Sequence, residues 1–288
     1  MDSIRALVTP IPIATPSANL MQRGIMVTTP DQRRFFRDNG YIIFPEMFSR
    51  HEVGVVMNDL KYLDTEHLVV DAAGRNKDGM AVEDGETPRL QFGLHMTDSC
   101  FEPLCSHPRL AGVMQELMGM PLYIYHSKLA FKAPFVGSVQ YWHQDFGYWR
   151  RNHSKPTMGS CLLMLDEHTE DNACMQVLSG SHLDGVVEHR YRPRESTGEN
   201  QLAIPAEEMT NHFRRYQRVK FVGSPGTVAA WHSNIMHASS HNISENPRRA
   251  LIVAFNAIGN SDEREVNDTP FTAHGVKAVE LSADDCLL

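Results

Sequence analysis

The residues best suited to bind a catalytic metal ion are concentrated in residues 141–146, which read YWHQDF. His143 and Asp145 are two residues apart, and side chains at that spacing on a strand project to the same side. An imidazole and a carboxylate on one strand edge can therefore chelate one ion. They supply two members of the facial triad of non-haem iron(II) oxygenases. The pair alone is a weak signal, because a chain with 15 histidines and 35 acidic residues contains such pairs by chance.

A third ligand has to come from elsewhere, and the downstream candidates are His232, His237 and His241. His237 follows a predicted strand and precedes Arg248 by eleven residues. A guanidinium there is suited to grip a dicarboxylate in bidentate fashion, while the keto-acid end of the same molecule chelates the metal. His232 and His241 lack an arginine at this spacing and are interpreted as surface or loop histidines. Arg248 and Arg249 face opposite sides of a strand, and periodicity does not choose between them.

The elements that must position these residues are helices first and strands after. Thr29 followed by Pro30 predicts one helix start, the capping box Ser49–Glu52 predicts a second, and a third helix begins near Pro108. Beyond Pro121 the chain predicts short strands separated by glycine and proline turns. These strands are expected at 122–132, 138–142, 159–165, 174–178, 218–222, 226–231 and 248–257.

This order predicts an α+β protein, mainly β, in which the helices buttress one sheet of a sandwich or barrel. Residues 1–28 are predicted to be a loosely docked amino-terminal arm, followed by a single domain over 29–288. The polar, glycine-containing stretch 65–88 is interpreted either as an active-site lid or as a disordered surface insertion.

Composition excludes several classes of protein. Hydrophobic residues make up 42% of the chain, which is enough to form a hydrophobic core. The net charge of -8 lacks the excess of basic residues that is typical of nucleic-acid-binding proteins. The five cysteines form no C-x-x-C pair. We find no secretory signal and no apolar run of about 18 residues that could span a membrane. A cytoplasmic protein without nucleic-acid or membrane partners is therefore predicted.

Four segments resemble the phytanoyl-CoA dioxygenase family, in the branch that includes bacterial ectoine hydroxylase. They read TPDQRRFFRDNGYIIFPEMFSRHEV, WHQDFGYW, LDEHTEDNACMQVLSGSH and MHASSHNISENPRR. The resemblance covers roughly residues 30–257. It implies a double-stranded β-helix (jelly-roll) core buttressed by the amino-terminal helices.

The resemblance also assigns residues. It implies that His143, Asp145 and His237 bind iron(II). It favours Arg248 over Arg249 as the arginine that grips 2-oxoglutarate. Further implied contacts to this cosubstrate are Ser239, Lys132 and Ser160. From their positions along the chain, candidate substrate contacts are Trp149, which is equally interpretable as a packed core aromatic, and Phe146. Arg89 and Gln91, which follow the predicted lid, are also candidates, with a surface role as the alternative interpretation. One departure is Ala130, where ectoine hydroxylase has an asparagine that helps hold the cosubstrate.

The implied reaction uses O2 and 2-oxoglutarate to hydroxylate an unactivated C–H bond of a small molecule, either a natural product or an amino-acid-like compound, and releases succinate and CO2. Desaturation, cyclisation and rearrangement use the same triad and remain alternatives. Two alternatives from other classes are a zinc hydrolase with the same three ligands and a catalytically silent jelly-roll binding protein. A homodimer with the amino-terminal arm as a contact is also considered.

Overall fold

The computed structural model describes residues 27–62, 90–135, 139–193, 200–260, 277–283 and 287. The predicted lid at 65–88 and the candidate Arg89 lie outside these residues, as does the predicted arm up to residue 26. The last two residues of that arm are docked, because the backbone N–H groups of Val27 and Thr28 each donate to the Glu116 carboxylate at 2.6 Å. The homodimer and the cytoplasmic location stay predictions.

Helices precede most of the strands, as predicted. The α-helices of the described chain are α1 (Pro30–Asn39), α2 (Arg50–Leu60), α3 (Phe101–Cys105), α4 (Val113–Met118), α5 (Asp145–Trp149) and α6 (Ala206–Arg215). The predicted capping box is present at Ser49, and the predicted N-cap Thr29 forms a second capping box with Gln32. Helix α1 ends at Gly40, whose φ of 76° is a left-handed conformation that glycine adopts without strain. No helix in the described part of the chain is both long and apolar enough to cross a membrane.

The third predicted helix differs from expectation at its start. The chain turns widely over Pro108–Gly112, where the N–H of Val113 reaches back to the carbonyl of Pro108, and becomes α-helical only in α4. This wide turn contains Arg109, a buried arginine that donates to the carbonyl of Met47 at 2.9 Å and to the Glu52 carboxylate. The turn is therefore cross-linked to the start of α2.

The strands form two main antiparallel sheets. The strands are β1 (Tyr41–Phe44), β2 (Leu90–Phe92), β3 (Leu122–Lys132), β4 (Gln140–His143), β5 (Met158–Met164), β6 (Gln176–Leu178), β7 (Arg190–Pro193), β8 (Asn200–Ala203), β9 (Arg218–Lys220), β10 (Val228–His232), β11 (His237–Ser239) and β12 (Arg248–Ala257). Six of them pair in the order β1-β10-β5-β12-β3-β2, four in the order β4-β11-β6-β9, and β7 pairs with β8. Strands β3 and β12 have the predicted bounds, whereas β2, β7, β8 and β11 were not predicted; His237, expected just past a strand, is the first residue of β11.

The two faces of the six-stranded sheet have different neighbours, as the residues of β12 show. Leu251, Val253 and Phe255 belong to the core cluster that includes Phe36 of α1 and other residues of the helical layer. The alternate residues, beginning with Arg248, line a cavity between this sheet and the four-stranded sheet. Because successive side chains of a strand face opposite sides, the helices buttress one face while the other is left for the site. This is the jelly-roll arrangement that the family resemblance implied.

Replacing Glu52 with glutamine tests the cross-link at the wide turn. Arg109 and Glu52 are both largely buried, and breaking such an ion pair is expected to lower the free energy of unfolding by about 3 kcal/mol. Glutamine keeps the capping role of Glu52, so the loss reports the ion pair. Urea denaturation at pH 7 checks this. The exposed Glu102→Gln is the matched control, and we expect it to change the stability by less than about 0.5 kcal/mol.

The pH dependence of the free energy of unfolding provides a second test with the same variant. Burial raises the pKa of Glu52, but hydrogen bonds from Arg109 and Ser49 outweigh burial and lower it to about 2. A carboxyl whose pKa is depressed in the folded state stabilises the protein above its ordinary value, and that stability is lost as the pH falls. The difference in free energy of unfolding between the wild type and Glu52→Gln should therefore disappear as the pH falls from about 4.5 to 2. A constant difference across this interval would contradict the assignment.

Candidate active site

The two candidate histidines face each other on neighbouring strands. The register of β4 and β11 pairs His143 with His237, and their ring centroids are 4.1 Å apart. Each Nδ1 lies close to a backbone carbonyl oxygen two residues earlier, at 2.7 Å from Tyr141 and 3.1 Å from Ile235. A carbonyl oxygen only accepts, so Nδ1 carries the proton in both rings and each Nε2 presents a lone pair. The backbone thus sets the tautomer that a metal ligand requires.

The secondary structure that carries Asp145, the carboxylate of the H-x-D pair, differs from the prediction. Strand β4 ends at His143, and Asp145 is the first residue of α5. Gln144 is extended (φ −114°, ψ 137°), so the side chains on either side of it still project to the same side. Asp145 Oδ1 lies 3.9 Å from His143 Nε2 and 3.7 Å from His237 Nε2. A strand-to-helix turn, not a strand edge, therefore brings Asp145 to the two histidines.

Gln144 is fixed by residues distant in the sequence, which explains why the strand stops there. Its side-chain amide donates to the carbonyls of Gly185 and Asn234 at 2.7 and 2.6 Å, and its side-chain oxygen accepts from Val187 N–H at 2.8 Å. Its own N–H donates to His189 Nε2 at 3.0 Å. These bonds replace the pairing of a continued strand and set the angle between the flanking side chains.

The donor set of the site fits an iron(II) ion. One ligand atom each from His143, Asp145 and His237 lies within 4.8 Å of the others, and all three residues are buried. Burial and the neighbouring His237 hold the pKa of His143 well below its usual range, so its imidazole is neutral at pH 7. Two imidazoles and one carboxylate on one side of an ion match the facial triad of non-haem iron(II) sites.

The triad opens into a cavity of about 100 Å³ between the two sheets. One end of it is cationic. Arg248 and Lys132 are paired in the β12–β3 register, are both buried, and both line this cavity. The Lys132 ammonium donates to the carbonyl of Ser240 at 3.1 Å, and Ser239 lines the cavity beside it. The rest of the lining is mainly apolar and includes Ala130. Two adjacent cations at the end of an apolar cavity form a site for an anion.

The two adjacent arginines of β12 have different surroundings. Arg249 is held by Asp166, whose carboxylate oxygens accept from its Nε and Nη2, both at 2.8 Å, and from its backbone N–H at 2.7 Å. Arg248 faces the opposite side of the strand and lines the cavity. The ion pair of Arg249 is thus part of the scaffold, and Arg248 is the arginine directed at the site.

The other candidate residues lie at different distances from this cavity. Ser160 is fully buried on β5 next to Trp231 of β10, outside the residues that line the cavity. Trp149 and Phe146 pack together in an aromatic cluster on α5. Gln91 is buried on β2, but its neighbour Leu90 lines the cavity, so Gln91 faces away from it.

Among the polar residues that line the cavity, sequence reasoning missed three: Lys128, Gln140 and Trp231. Lys128 could have been found, because it is four residues before Lys132 and shares its face of β3. Trp231 donates from its indole Nε1 to Asp145 Oδ2 at 2.9 Å, a contact between residues 86 apart in sequence. No local pattern indicates that contact.

Two further histidines, His126 of β3 and His95 just after β2, lie outside the residues that line the cavity. The ring of His126 is in edge contact with Phe92 and Trp149, at 5.5 and 5.7 Å between centroids. Within the described residues, His126 Nδ1 and His95 Nε2 are buried and make no hydrogen bond. Burial lowers the pKa of His95 to about 4, and burial together with Lys128 holds the pKa of His126 well below its usual range. Both rings are therefore neutral at pH 7, with unused hydrogen-bonding capacity.

Fold and site together define a jelly-roll protein with a buried group of two histidines and one carboxylate that could hold a metal ion. The sequence model of the family described as phytanoyl-CoA dioxygenase (PhyH) matches residues 36–250. The chain belongs to this family, as its four motifs indicated.

Individual relatives agree with this membership. The ectoine dioxygenase of Sphingopyxis alaskensis is 30% identical over 241 residues, covering 81% of this chain and 77% of the relative. The L-proline trans-4-hydroxylase of Streptomyces griseoviridis is 28% identical over 199 residues, covering 65% of this chain and 74% of the relative. The crystal structure of EctD from S. alaskensis with bound Fe has a TM-score of 0.70 and 27% identity, covering 88% of this chain and 87% of EctD. EctD with 2-oxoglutarate and 5-hydroxyectoine has a TM-score of 0.66 and 26% identity, with coverages of 89% and 85%.

Proposed function

We propose that this protein is an iron(II)- and 2-oxoglutarate-dependent dioxygenase that hydroxylates an unactivated C–H bond of a small polar molecule. One observation is central to the proposal: a buried triad with both histidine tautomers set for metal binding opens into a cavity that has Arg248 and Lys132 at its far end. Iron(II) with bound 2-oxoglutarate and O2 supplies the oxidising power, and succinate and CO2 are the co-products. The protein contributes orientation and exclusion of water.

His143 Nε2, His237 Nε2 and Asp145 Oδ1 would hold the iron. The Tyr141 and Ile235 carbonyls keep the two rings in one tautomer and orientation. The triad occupies one side of the ion, which leaves the other side for ligands that enter from the cavity.

Arg248 would bind the far carboxylate of 2-oxoglutarate through two parallel hydrogen bonds, the geometry in which a guanidinium matches a carboxylate. Lys132 adds a second positive charge at the same end, and Ser239 a hydroxyl. The apolar part of the lining suits the two methylene groups of the cosubstrate. Ser160 is a weaker candidate, because it lies outside the cavity lining.

The substrate is proposed to enter on the other side of the triad, beside Trp149 and Phe146. The neutral, unpaired nitrogens of His95 and His126 in that region favour a substrate with polar groups, because a buried polar atom without a partner is costly. The ectoine and proline hydroxylating relatives are consistent with a small amino-acid-like compound. Gln91 is left out of this proposal, because it faces away from the cavity, and Arg89 remains a candidate from sequence only.

An anaerobic titration of the iron(II)-loaded protein with 2-oxoglutarate tests the proposal. We expect the weak visible charge-transfer band of a keto acid chelated to iron(II), and we expect its loss in His237→Ala. The matched control is His241→Ala, which removes a nearby histidine outside the triad and should leave the band unchanged. Tight iron binding without a band would remove 2-oxoglutarate from the reaction. A zinc hydrolase or a silent binding protein would then be the better interpretation.

A further inference from the structure

The two oxygens of the Asp145 carboxylate have different surroundings. Oδ1 faces the Nε2 atoms of both triad histidines. Oδ2 accepts the indole N–H of Trp231 at 2.9 Å, and both residues are buried. A hydrogen bond from a fixed donor to a carboxylate is charge-assisted, and it is strengthened where water is excluded. The two oxygens are therefore not interchangeable.

We propose that Trp231 is a positioning residue that holds Asp145 as a one-oxygen ligand and so keeps three coordination positions open. The inference rests on the proposed function. A carboxylate that binds through both oxygens would occupy one position more. A keto acid that chelates the ion then takes the two positions left, and none remains for O2. By engaging Oδ2, the indole N–H restricts Asp145 to binding through Oδ1.

The scaffold makes Trp231 a rigid donor. It lies on β10, between β1 and β5, where it is paired with Tyr41 and Ser160. Its ring belongs to the apolar cluster between the two sheets that also contains Leu162 and Phe221. The indole ring is also 6.0 Å from the His237 ring, so one side chain contacts Asp145 and lies beside a second triad member. Phenylalanine at this position would keep most of the packing and lose only the donor.

Trp231→Phe separates this role from a merely structural one. Anaerobic titration is expected to show iron(II) binding weakened about 10- to 100-fold, the usual effect of removing a partner of a metal ligand. The matched control is Trp142→Phe, which removes an indole that packs edge-on against Phe213 at 5.2 Å in another cluster. It should bind iron like the wild type. At saturating iron and 2-oxoglutarate, the band per bound ion should persist in Trp231→Phe but decay more slowly on exposure to O2 than in the wild type or in Trp142→Phe.

The outcomes are distinct from those that test the proposed function. If the wild type neither binds iron nor gives the band, the proposed function fails. If the wild type binds iron and gives the band, and Trp231→Phe equals the wild type in every measurement, the positioning role is overturned. Trp231 would then serve packing alone.

A measurement on the wild type decides the question should Trp231→Phe not fold. The chain has three tryptophans, so a proton–nitrogen spectrum shows three indole N–H signals, which Trp142→Phe and Trp149→Phe assign by elimination. We expect the Trp231 signal to exchange slowly with solvent and to shift when Zn²⁺, a diamagnetic probe, binds and draws charge from Asp145. Zinc bound at one ion per chain without a shift of this signal would refute the role.

Discussion

Replacing Asp145 with alanine is expected to abolish tight iron(II) binding, weakening it by more than the roughly 100-fold that loss of a supporting residue produces. Only His143 and His237 would remain as ligands, and two neutral imidazoles bind a hard divalent ion poorly without a carboxylate. Iron retained per chain after anaerobic gel filtration measures the effect. Turnover of 2-oxoglutarate should disappear with the iron.

The control for this experiment has to separate metal loss from unfolding. Removing Asp145 leaves the Trp231 N–H without its partner, which costs about 1–3 kcal/mol in a buried site. Circular dichroism and thermal unfolding of the metal-free protein should therefore show a folded but less stable variant. Asp171→Ala removes an exposed aspartate and should retain wild-type iron. Wild-type iron in Asp145→Ala would place the metal elsewhere.

The parts of the fold that the sequence predicted best are those whose burial is encoded locally. Strands β3 and β12 were predicted with their observed bounds, because long runs rich in β-forming residues end at turn signals in both. The starts of α1 and α2 were predicted because the cap signals, Thr29 followed by Pro30 and the Ser49–Glu52 box, lie within a few residues of each other. In contrast, all four residues of β7 are exposed, so no apolar periodicity marks this strand.

The predictions that failed depend on contacts between distant parts of the chain. Asp145 was expected on a strand, but Gln144 is fixed by Gly185 and Asn234, which lie 41 and 90 residues away. The same limit applies to the site. The Trp231–Asp145 hydrogen bond links residues that share no motif, and the ion pair of Arg249 with Asp166 spans 83 residues. Residue types and spacing indicated the chemistry, whereas the orientation of each group depends on tertiary packing.

Arg248 provides the second large expected effect. Arg248→Ala should raise the half-saturating concentration of 2-oxoglutarate about 10- to 150-fold, because a charge-assisted hydrogen bond contributes about 1.5–3 kcal/mol and each 1.4 kcal/mol is tenfold. Lys132 at the same end of the cavity would retain part of the attraction, which favours the lower part of this range. Iron affinity should not change, since Arg248 is not a ligand. Anaerobic titration of the charge-transfer band measures both quantities on one sample.

Arg249→Ala is the matched control, because it removes the same side chain from the adjacent residue of the same strand. It breaks the ion pair with Asp166, so it should lower the stability while leaving the 2-oxoglutarate requirement unchanged. The two variants should thus lose different properties: Arg248→Ala loses cosubstrate affinity, and Arg249→Ala loses stability. If Arg249→Ala instead raised the requirement and Arg248→Ala did not, the cosubstrate would lie on the other face of β12, outside the cavity. The triad would then be open to a different cosubstrate, because the anion site that selects 2-oxoglutarate would no longer lie beside it.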